Sequence, residues 1–185
     1  VYKSCYKLSG QPFRLSPDYR FSFSHRTYDE AKAYLKYATA EGEGFVVITG
    51  APGTGKTTLI ATLLAELDQS RIKVATLANE QLDSRDLVDR VNDAFELPGN
   101  NGVAPLPKLM RFLNQNSQEG GRSVLIVVEA QCLTREALEE LRLLSNLQNH
   151  EGLLLQVFLL GQDSLLEMVR APGMEQLQQR LIAAS

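Results

Sequence analysis

The chain has 185 residues, 44% of them hydrophobic, which suits one α/β domain with a sizeable core and is too short for two ordinary domains. Its formal net charge of −3 provides no overall basic field, so the composition does not favour binding of nucleic acid through phosphate neutralisation. No apolar run approaches the roughly 20 residues that cross a bilayer, and the N-terminal stretch lacks the apolar centre of a signal peptide. We therefore expect a cytoplasmic protein, with peripheral docking at the inner membrane left open.

Four short apolar runs are predicted to form buried strands. They are β-rich and nearly continuous in apolar residues, as strands covered on both faces must be. The runs are FVVIT (45–49), KVATL (73–77), SVLIVV (123–128) and LLLQVFLL (153–160). Because helical patterns separate them, the alternation predicts a parallel sheet wound by right-handed crossovers, a three-layer α/β/α sandwich.

Apolar side chains recur at helical spacing between these strands. The stripes suited to packing on the sheet are Leu59, Leu63, Leu64 and Leu67 in one helix, and Leu87, Val91 and Phe95 in another. Thr134 is the predicted N-cap of a further helix, which would bury Leu138, Leu141 and Leu144.

Two segments stand outside this alternation. Residues 1–24 are rich in aromatic residues and turn formers, and we expect an extended strap there, before a helix at 27–42. Residues 96–107 form a predicted turn-rich connector before a helix at 108–118. The whole chain, 1–185, is then one domain, with the strap at 1–24 and the α/β core at 25–185.

The stretch VVITGAPGTGKTTLI, residues 46–60, predicts a phosphate-binding loop. Residues 50–57 match G-x-x-x-x-G-K-[ST] in full, after a predicted strand and before a predicted helix. Glycines let the backbone bend round a β-phosphate with its N–H groups pointing inward, and the helix adds the positive end of its dipole. The predicted nucleotide-binding residues are Gly50, Ala51, Pro52, Gly53, Thr54, Gly55, Lys56, Thr57 and Thr58.

Three side chains of this loop have predicted roles. Lys56 is expected to reach the β and γ phosphates, Thr57 to ligate Mg²⁺, and Thr58 to lie near the α-phosphate. ATP and Mg²⁺ are therefore the predicted cofactors.

The third predicted strand ends in LIVVEAQ, and this end bears on hydrolysis. P-loop ATPases commonly have an aspartate here that holds the Mg²⁺ hydration shell, often followed by a glutamate that orients the attacking water. Val128 takes the place of the aspartate and cannot accept a hydrogen bond, whereas Glu129 takes that of the glutamate. Two hypotheses remain: Glu129 polarises water in a weakened hydrolysis, or it only anchors the strand end and the domain is a nucleotide-dependent switch.

Nearly the whole chain resembles the AAA+ ATPases of the general secretion pathway protein A (ExeA) type. The ordered motifs are GEGFVVITGAPGTGKTTL, LANEQLDSRDLVDRV, EAQCLTREALEELRLLSNLQ, LLLQVFLLGQ and MEQLQQRLIA, and the opening YKLSGQPFRLSPDYRFSF resembles that family's N-terminal signature. Within the family, the chain is most similar to the secretion ATPases of exosortase (PEP-CTERM) and exopolysaccharide loci. It departs from the usual D-E-A-Q at Val128, so we expect nucleotide binding, with hydrolysis below the full rate of the family.

The resemblance implies the strand order 5-1-4-3-2, with nucleotide at the carboxyl edge of the strands. Gln162 falls where such ATPases carry a polar residue that senses the γ-phosphate, although an exposed amide ending a strand is the alternative. Arg180 falls near the position of an arginine finger, although a local ion pair explains it equally well. Asn79 either faces the phosphates or caps a turn.

The family continues beyond the position of Ser185 into a last core strand and a helical lid, so we expect a core truncated before both. The strap would then help to enclose the adenine through Phe13, Leu15 or Tyr19, residues that core packing explains equally well.

The leading functional hypothesis is an ATPase that powers or regulates assembly of an envelope secretion or exopolysaccharide export system. ATP, a second copy of the chain and export components are its predicted partners. One alternative is a DNA-associated AAA+ ATPase of the transposition-regulator type, which needs a basic surface that a chain of net charge −3 does not suggest. The other is a nucleotide switch without hydrolysis.

Overall fold

The computed structural model describes residues 44–66, 71–78, 84–99 and 102–175, and the helical positions Asp29, Lys32, Ala33, Lys36 and Tyr37. These five positions fall within the helix predicted at 27–42. The predicted strap at 1–24, including Phe13, Leu15 and Tyr19, lies outside the described residues, as do Leu67, Asn79 and Arg180.

A four-stranded parallel sheet forms the centre of the described structure. Its strands lie in the order β1–β6–β3–β2, with β1 at Phe45–Thr49, β2 at Ile72–Ala78, β3 at Arg122–Val128 and β6 at Gln156–Gly161. The order confirms the 1-4-3-2 part of the expected arrangement, since the fourth predicted strand lies between the first and the third. The parallel three-layer prediction is also confirmed.

The strand predicted at 153–160 was wrong at its start. Residues 148–153 form a short antiparallel hairpin, β4 (Gln148–Asn149) with β5 (Gly152–Leu153), and β6 begins only at Gln156. The chain reverses because the Asn149 carboxamide oxygen accepts the Glu151 N–H at 2.8 Å and Gly152 has φ 132°. Leu154 and Leu155 are buried between β5 and β6 and continue the apolar run, so the sequence pattern conceals where β6 begins.

Five helices connect the strands in the described part of the chain. They are α1 (Lys56–Glu66), α2 (Ser84–Ala94), α3 (Pro105–Gln118), α4 (Arg135–Ser145) and α5 (Asp163–Arg170). The Thr134 cap is confirmed, because its hydroxyl accepts the Ala137 N–H at 3.1 Å. The start predicted for α3 was three residues late, since proline is tolerated in a first helical turn and the helix begins at Pro105.

The two faces of the sheet are covered by different helices. On one face α1 buries Leu59, Ile60 and Leu63 against alternate strand residues that include Ile48 and Ile126. On the other face, α2 to α5 pack on the opposite alternation, which includes Val127 and Leu159. Each fully buried aliphatic side chain contributes about 1.5–3 kcal/mol to folding, so these two clusters fix the sheet and the position of α1 beneath the phosphate-binding loop.

The carboxyl ends of the parallel strands bring predicted site residues to one edge of the sheet. β1 runs into Gly50, β3 into Glu129 and β6 into Gln162. Ligands of open parallel α/β sheets bind at this edge. The fold therefore assembles the predicted site from three separate stretches of sequence.

No helix in the described ranges is both long and apolar enough to span a membrane.

Candidate nucleotide site

The loop between β1 and α1 has the backbone of a phosphate-binding turn. Gly53 and Gly55 have φ values of 81° and 85°, which residues with a side chain rarely adopt. A Cβ added at either position would meet no atom within 4 Å, so conformation and not space requires glycine. Residues 51–54 are exposed, which leaves the loop accessible to a ligand.

Lys56 lies across this loop. Its ammonium donates hydrogen bonds to the carbonyl oxygens of Gly50 at 2.7 Å and Ala51 at 2.9 Å. Ala51 O also accepts from the hydroxyl of Thr54 at 2.9 Å. These bonds close the turn and hold a positive charge beside the N-terminus of α1, where an anion is favoured by the free N–H groups and the helix dipole.

The residues of the loop fit the phosphates of a nucleotide and a magnesium ion bound with them. Thr57 is exposed in the first turn of α1, and Thr58 beside it is half-buried. No group of three or more His, Cys, Asp or Glu residues that could hold a metal occurs in the described ranges. A single hydroxyl suits Mg²⁺, which keeps several waters and takes its other ligands from phosphate oxygens.

Val128 is the last residue of β3 and lies between Ala78 of β2 and Leu160 of β6. It is half-buried and packs against the cluster on the α1 face of the sheet, in alternation with Val124 and Ile126. Its side chain therefore lies on the same side of the sheet as the helix that follows the phosphate-binding loop. The two methyl groups of Val128 lie at the position predicted to match the aspartate of P-loop ATPases.

Glu129 follows Val128 in a left-handed backbone conformation, with φ 56° and ψ 42°. Such a conformation is uncommon for a residue other than glycine and is concentrated at functional sites. The Oε2 atom of Glu129 accepts two hydrogen bonds, from Gln131 Nε2 at 2.6 Å and from Gln162 Nε2 at 3.3 Å. The structure thus brings together two of the predicted catalytic residues, Glu129 and Gln162.

Gln131 also takes part in this cluster, and sequence analysis missed it. Its Oε1 atom accepts the backbone N–H of Gln162 at 3.1 Å, so one amide joins Glu129 to the end of β6. The signals in the sequence were an amide two residues after a glutamate at a strand end and its match to the last residue of the family's D-E-A-Q. The contact with Gln162 spans 31 residues of chain, which no local pattern shows.

The phosphate-binding loop is joined directly to the end of β6. The N–H of Gly50 donates to the carbonyl oxygen of Gly161 at 3.2 Å. The carboxyl edge of the sheet therefore holds the predicted residues Gly50 to Thr58, Glu129 and Gln162 together. Arg180 was predicted to act in a neighbouring subunit's site, and it lies outside the described residues.

Known proteins are similar to this chain in sequence and in fold. The family described as AAA domain matches residues 39–169. General secretion pathway protein A of Aeromonas hydrophila is 41% identical over 186 residues, which cover 99% of this chain and 34% of that protein. The chain thus spans about a third of the length of this curated relative.

Solved structures share the fold at low sequence identity. Cdc6p from Pyrobaculum aerophilum has a TM-score of 0.66 at 17% identity, covering 100% of this chain and 49% of that one. The Aeropyrum pernix ORC2 protein has a TM-score of 0.63 at 17% identity, covering 94% and 49%. The Walker-type ATPase PABY2304 of Pyrococcus abyssi has 0.60 at 17% identity, covering 92% and 57%.

At these identities the structures support the fold alone. The family match extends over most of the chain and contains the phosphate-binding loop, Glu129 and Gln162. This chain therefore belongs to the AAA domain family of P-loop ATPases and is related to general secretion pathway protein A.

Proposed function

We propose that this chain binds ATP and Mg²⁺ through residues 50–58 and hydrolyses the ATP slowly, with Glu129 orienting the attacking water. Thr57 ligates the metal and Gln162 senses the γ-phosphate. The observation that carries the proposal is the joined edge of the sheet, where Gly50 bonds to Gly161 at 3.2 Å and Gln162 bonds to Glu129 at 3.3 Å. The phosphate-binding loop and Glu129, the candidate base, are thus connected through hydrogen bonds to the end of β6.

The proposed reaction is the transfer of the γ-phosphoryl group of ATP to water. The water gives a proton to Glu129 while its oxygen forms a bond to the γ-phosphorus, and the bond from that phosphorus to the β–γ bridging oxygen breaks. ADP leaves with the electron pair, and inorganic phosphate takes the proton back. Lys56 and the loop N–H groups stabilise the charge that develops on the phosphate oxygens.

We propose that this ATPase powers or regulates assembly of an envelope secretion or exopolysaccharide export system, acting as a homo-oligomer at the cytoplasmic side of the inner membrane. The support is the 41% identity to general secretion pathway protein A over 99% of this chain. In AAA ATPases of this kind, ATP would drive contacts between subunits and partners, and hydrolysis would reset them.

A chimaera tests the cellular role. This chain replaces the matching third of the Aeromonas hydrophila protein, and secretion by the complemented strain is measured against a chimaera carrying Lys56→Ala. We expect the first chimaera to restore secretion and the second not to. Equal secretion by both, at equal protein levels, would contradict a role for nucleotide in this process.

A nucleotide switch without hydrolysis is the second candidate, and Val128 is the observation that favours it. Single-turnover assays with γ-labelled ATP separate the two. Phosphate release that Glu129→Gln reduces supports the ATPase, whereas tight binding with no phosphate release from the wild type or from Val128→Asp supports the switch.

A further inference from the structure

The amide of Gln131 is held between two partners whose chemistry fixes its orientation. A carboxylate only accepts hydrogen bonds, so the NH₂ end of the amide must face Glu129 Oε2, at 2.6 Å. A backbone N–H only donates, so the oxygen end must face Gln162 N, at 3.1 Å. Gln131 is half-buried, and only a side chain with both a donor and an acceptor makes both bonds.

The two amide groups beside Glu129 give its two carboxylate oxygens different surroundings. Oε2 accepts from both Gln131 and Gln162. Within the described residues no hydrogen bond is made to Oε1. Two donors on one oxygen restrain rotation of the carboxylate and leave the other oxygen to accept a proton from water.

The backbone around this cluster is adapted to the approach of Gln131. A Cβ at position 161 would lie 2.9 Å from both Gln131 Oε1 and Leu165 Cβ, so a larger residue there would displace the Gln131 amide or Leu165 of α5. The carbonyl of the same Gly161 accepts the N–H of Gly50 at 3.2 Å. A chain of contacts therefore runs from the first residue of the phosphate-binding loop, through the end of β6 and Gln131, to Glu129.

We propose that Gln131 is the positioning residue for Glu129 in ATP hydrolysis. It ties the carboxylate to the strand end that also anchors the phosphate-binding loop, so that the base and the γ-phosphate keep a fixed separation. This inference rests on the proposed function, since it assigns Gln131 a role in the same reaction. Gln131 itself contacts neither ATP nor water in the step.

The test is a double-mutant cycle between Gln131 and Glu129. Gln131→Met keeps the length of the side chain and removes both hydrogen bonds. In single-turnover assays with labelled ATP, which measure slow rates, we expect its maximal rate constant to fall about 10- to 100-fold, as for other lost orienting partners. ATP affinity should change less than about twofold, because the phosphate-binding loop is untouched.

The cycle separates positioning from general damage. In a Glu129→Gln background, Gln131→Met should cause no further loss of rate, since it acts through the carboxylate alone. Gln131→Glu provides a second variant in case Met disturbs the fold, because it keeps the acceptor for Gln162 and repels Glu129, and its rate should fall as well. Gln118→Met, the same change at an exposed glutamine at the end of α3, is the matched control and should leave the rate unchanged.

Each outcome decides between two claims. If Glu129→Gln slows hydrolysis and Gln131→Met and Gln131→Glu do not, Gln131 is not a positioning residue, while the proposed function stands. Rate losses that multiply in the double variant, or a matching loss of ATP affinity, also overturn the inference. If the wild type releases no phosphate, or Glu129→Gln is as fast as the wild type, the proposed role of Glu129 fails and the inference fails with it.

Discussion

Lys56 and Gly50 are joined across the phosphate-binding loop, with the lysine ammonium 2.7 Å from the glycine carbonyl oxygen. A second bond, to Ala51 O, holds the same ammonium in the turn. The lysine therefore has its position fixed by the loop that is proposed to hold the phosphates. Little side-chain entropy remains to be lost when it turns from the carbonyl oxygens to an anion.

Replacing Lys56 with alanine is expected to weaken ATP binding by about 2–3 kcal/mol, roughly 30- to 160-fold, the scale of a lost hydrogen bond to a charged group. Calorimetric titration with ATP and Mg²⁺ measures the change. Lys73→Ala, which removes an exposed lysine on β2, is the matched control and should bind as the wild type does. Equal affinity of the Lys56→Ala protein and the wild type would refute the assignment of the loop.

If the chain acts as the proposed homo-oligomer, hydrolysis is expected to require self-association, because Arg180 is the candidate finger for a neighbouring subunit's site. An arginine finger contributes about 10³–10⁵-fold to phosphoryl transfer where one operates. The rate per subunit should rise with protein concentration and collapse in Arg180→Ala. Arg170→Ala, which removes an exposed arginine at the end of α5, serves as the control. A rate per subunit that stays constant over a wide dilution series would count against this prediction.

The strands could be predicted from sequence because strands buried on both faces are continuous apolar runs. The same property misplaced the start of β6, because Leu153 at the end of β5 and the following Leu154 and Leu155 are as apolar as β6 itself. The start of α3 was missed because the prolines in its first turn were assigned to the turn-rich connector before it. The pattern of apolar residues does not show at which residue a strand or helix begins.

The candidate site could be predicted where one short stretch contains it, as from Gly50 to Thr58. Gln131 was missed because its role comes from two bonds made in space, one of them to a residue 31 positions away. The left-handed conformation of Glu129 has no sequence signal either, since glutamate is not a residue that favours it.

The backbone of Glu129 predicts a difference between two substitutions that both remove the carboxylate. Alanine at φ 56° carries the steric cost of a left-handed conformation, and glycine does not. Glu129→Gly should therefore be about 1 kcal/mol more stable than Glu129→Ala in urea unfolding, with hydrolysis lost in both. The same pair of substitutions at Glu140, within α4, should give the opposite order, because glycine destabilises a helix interior. Equal stability at position 129 would mean that the backbone relaxes there.

The Glu139–Arg142 pair predicts a pH dependence of stability. Arg142 donates to both carboxylate oxygens of Glu139, at 2.9 and 2.7 Å, and these hydrogen bonds lower the pKa of Glu139 from its ordinary value of 4.5. A lowered folded-state pKa stabilises the fold above the unfolded-state pKa, and this contribution is lost as the pH falls through the folded-state value.

Glu139→Gln should therefore be less stable than the wild type at pH 7, by about 0.2–0.5 kcal/mol for a helical pair on the surface. The gap should close once the pH is below the lowered pKa of Glu139. Urea unfolding at several pH values measures it, with Glu167→Gln on α5 as the control. A gap that persists at low pH would assign the effect of the substitution to packing and not to the ion pair.

Val128→Asp is expected to raise turnover at least about tenfold, because an aspartate accepts hydrogen bonds from the waters of Mg²⁺ and a lost partner of this kind typically costs 10–100-fold. Val128 lies on the α1 face of the sheet, so the carboxylate would enter on the side of the phosphate-binding loop. The Mg²⁺ concentration for half-maximal rate should fall, while ATP affinity at saturating Mg²⁺ changes little, since Lys56 and the loop are unaltered. Val128→Leu, an apolar control, should remain slow. If Val128→Asp changes neither turnover nor Mg²⁺ dependence in an assembled and folded sample, then Glu129 already serves the metal and Val128 does not limit the rate.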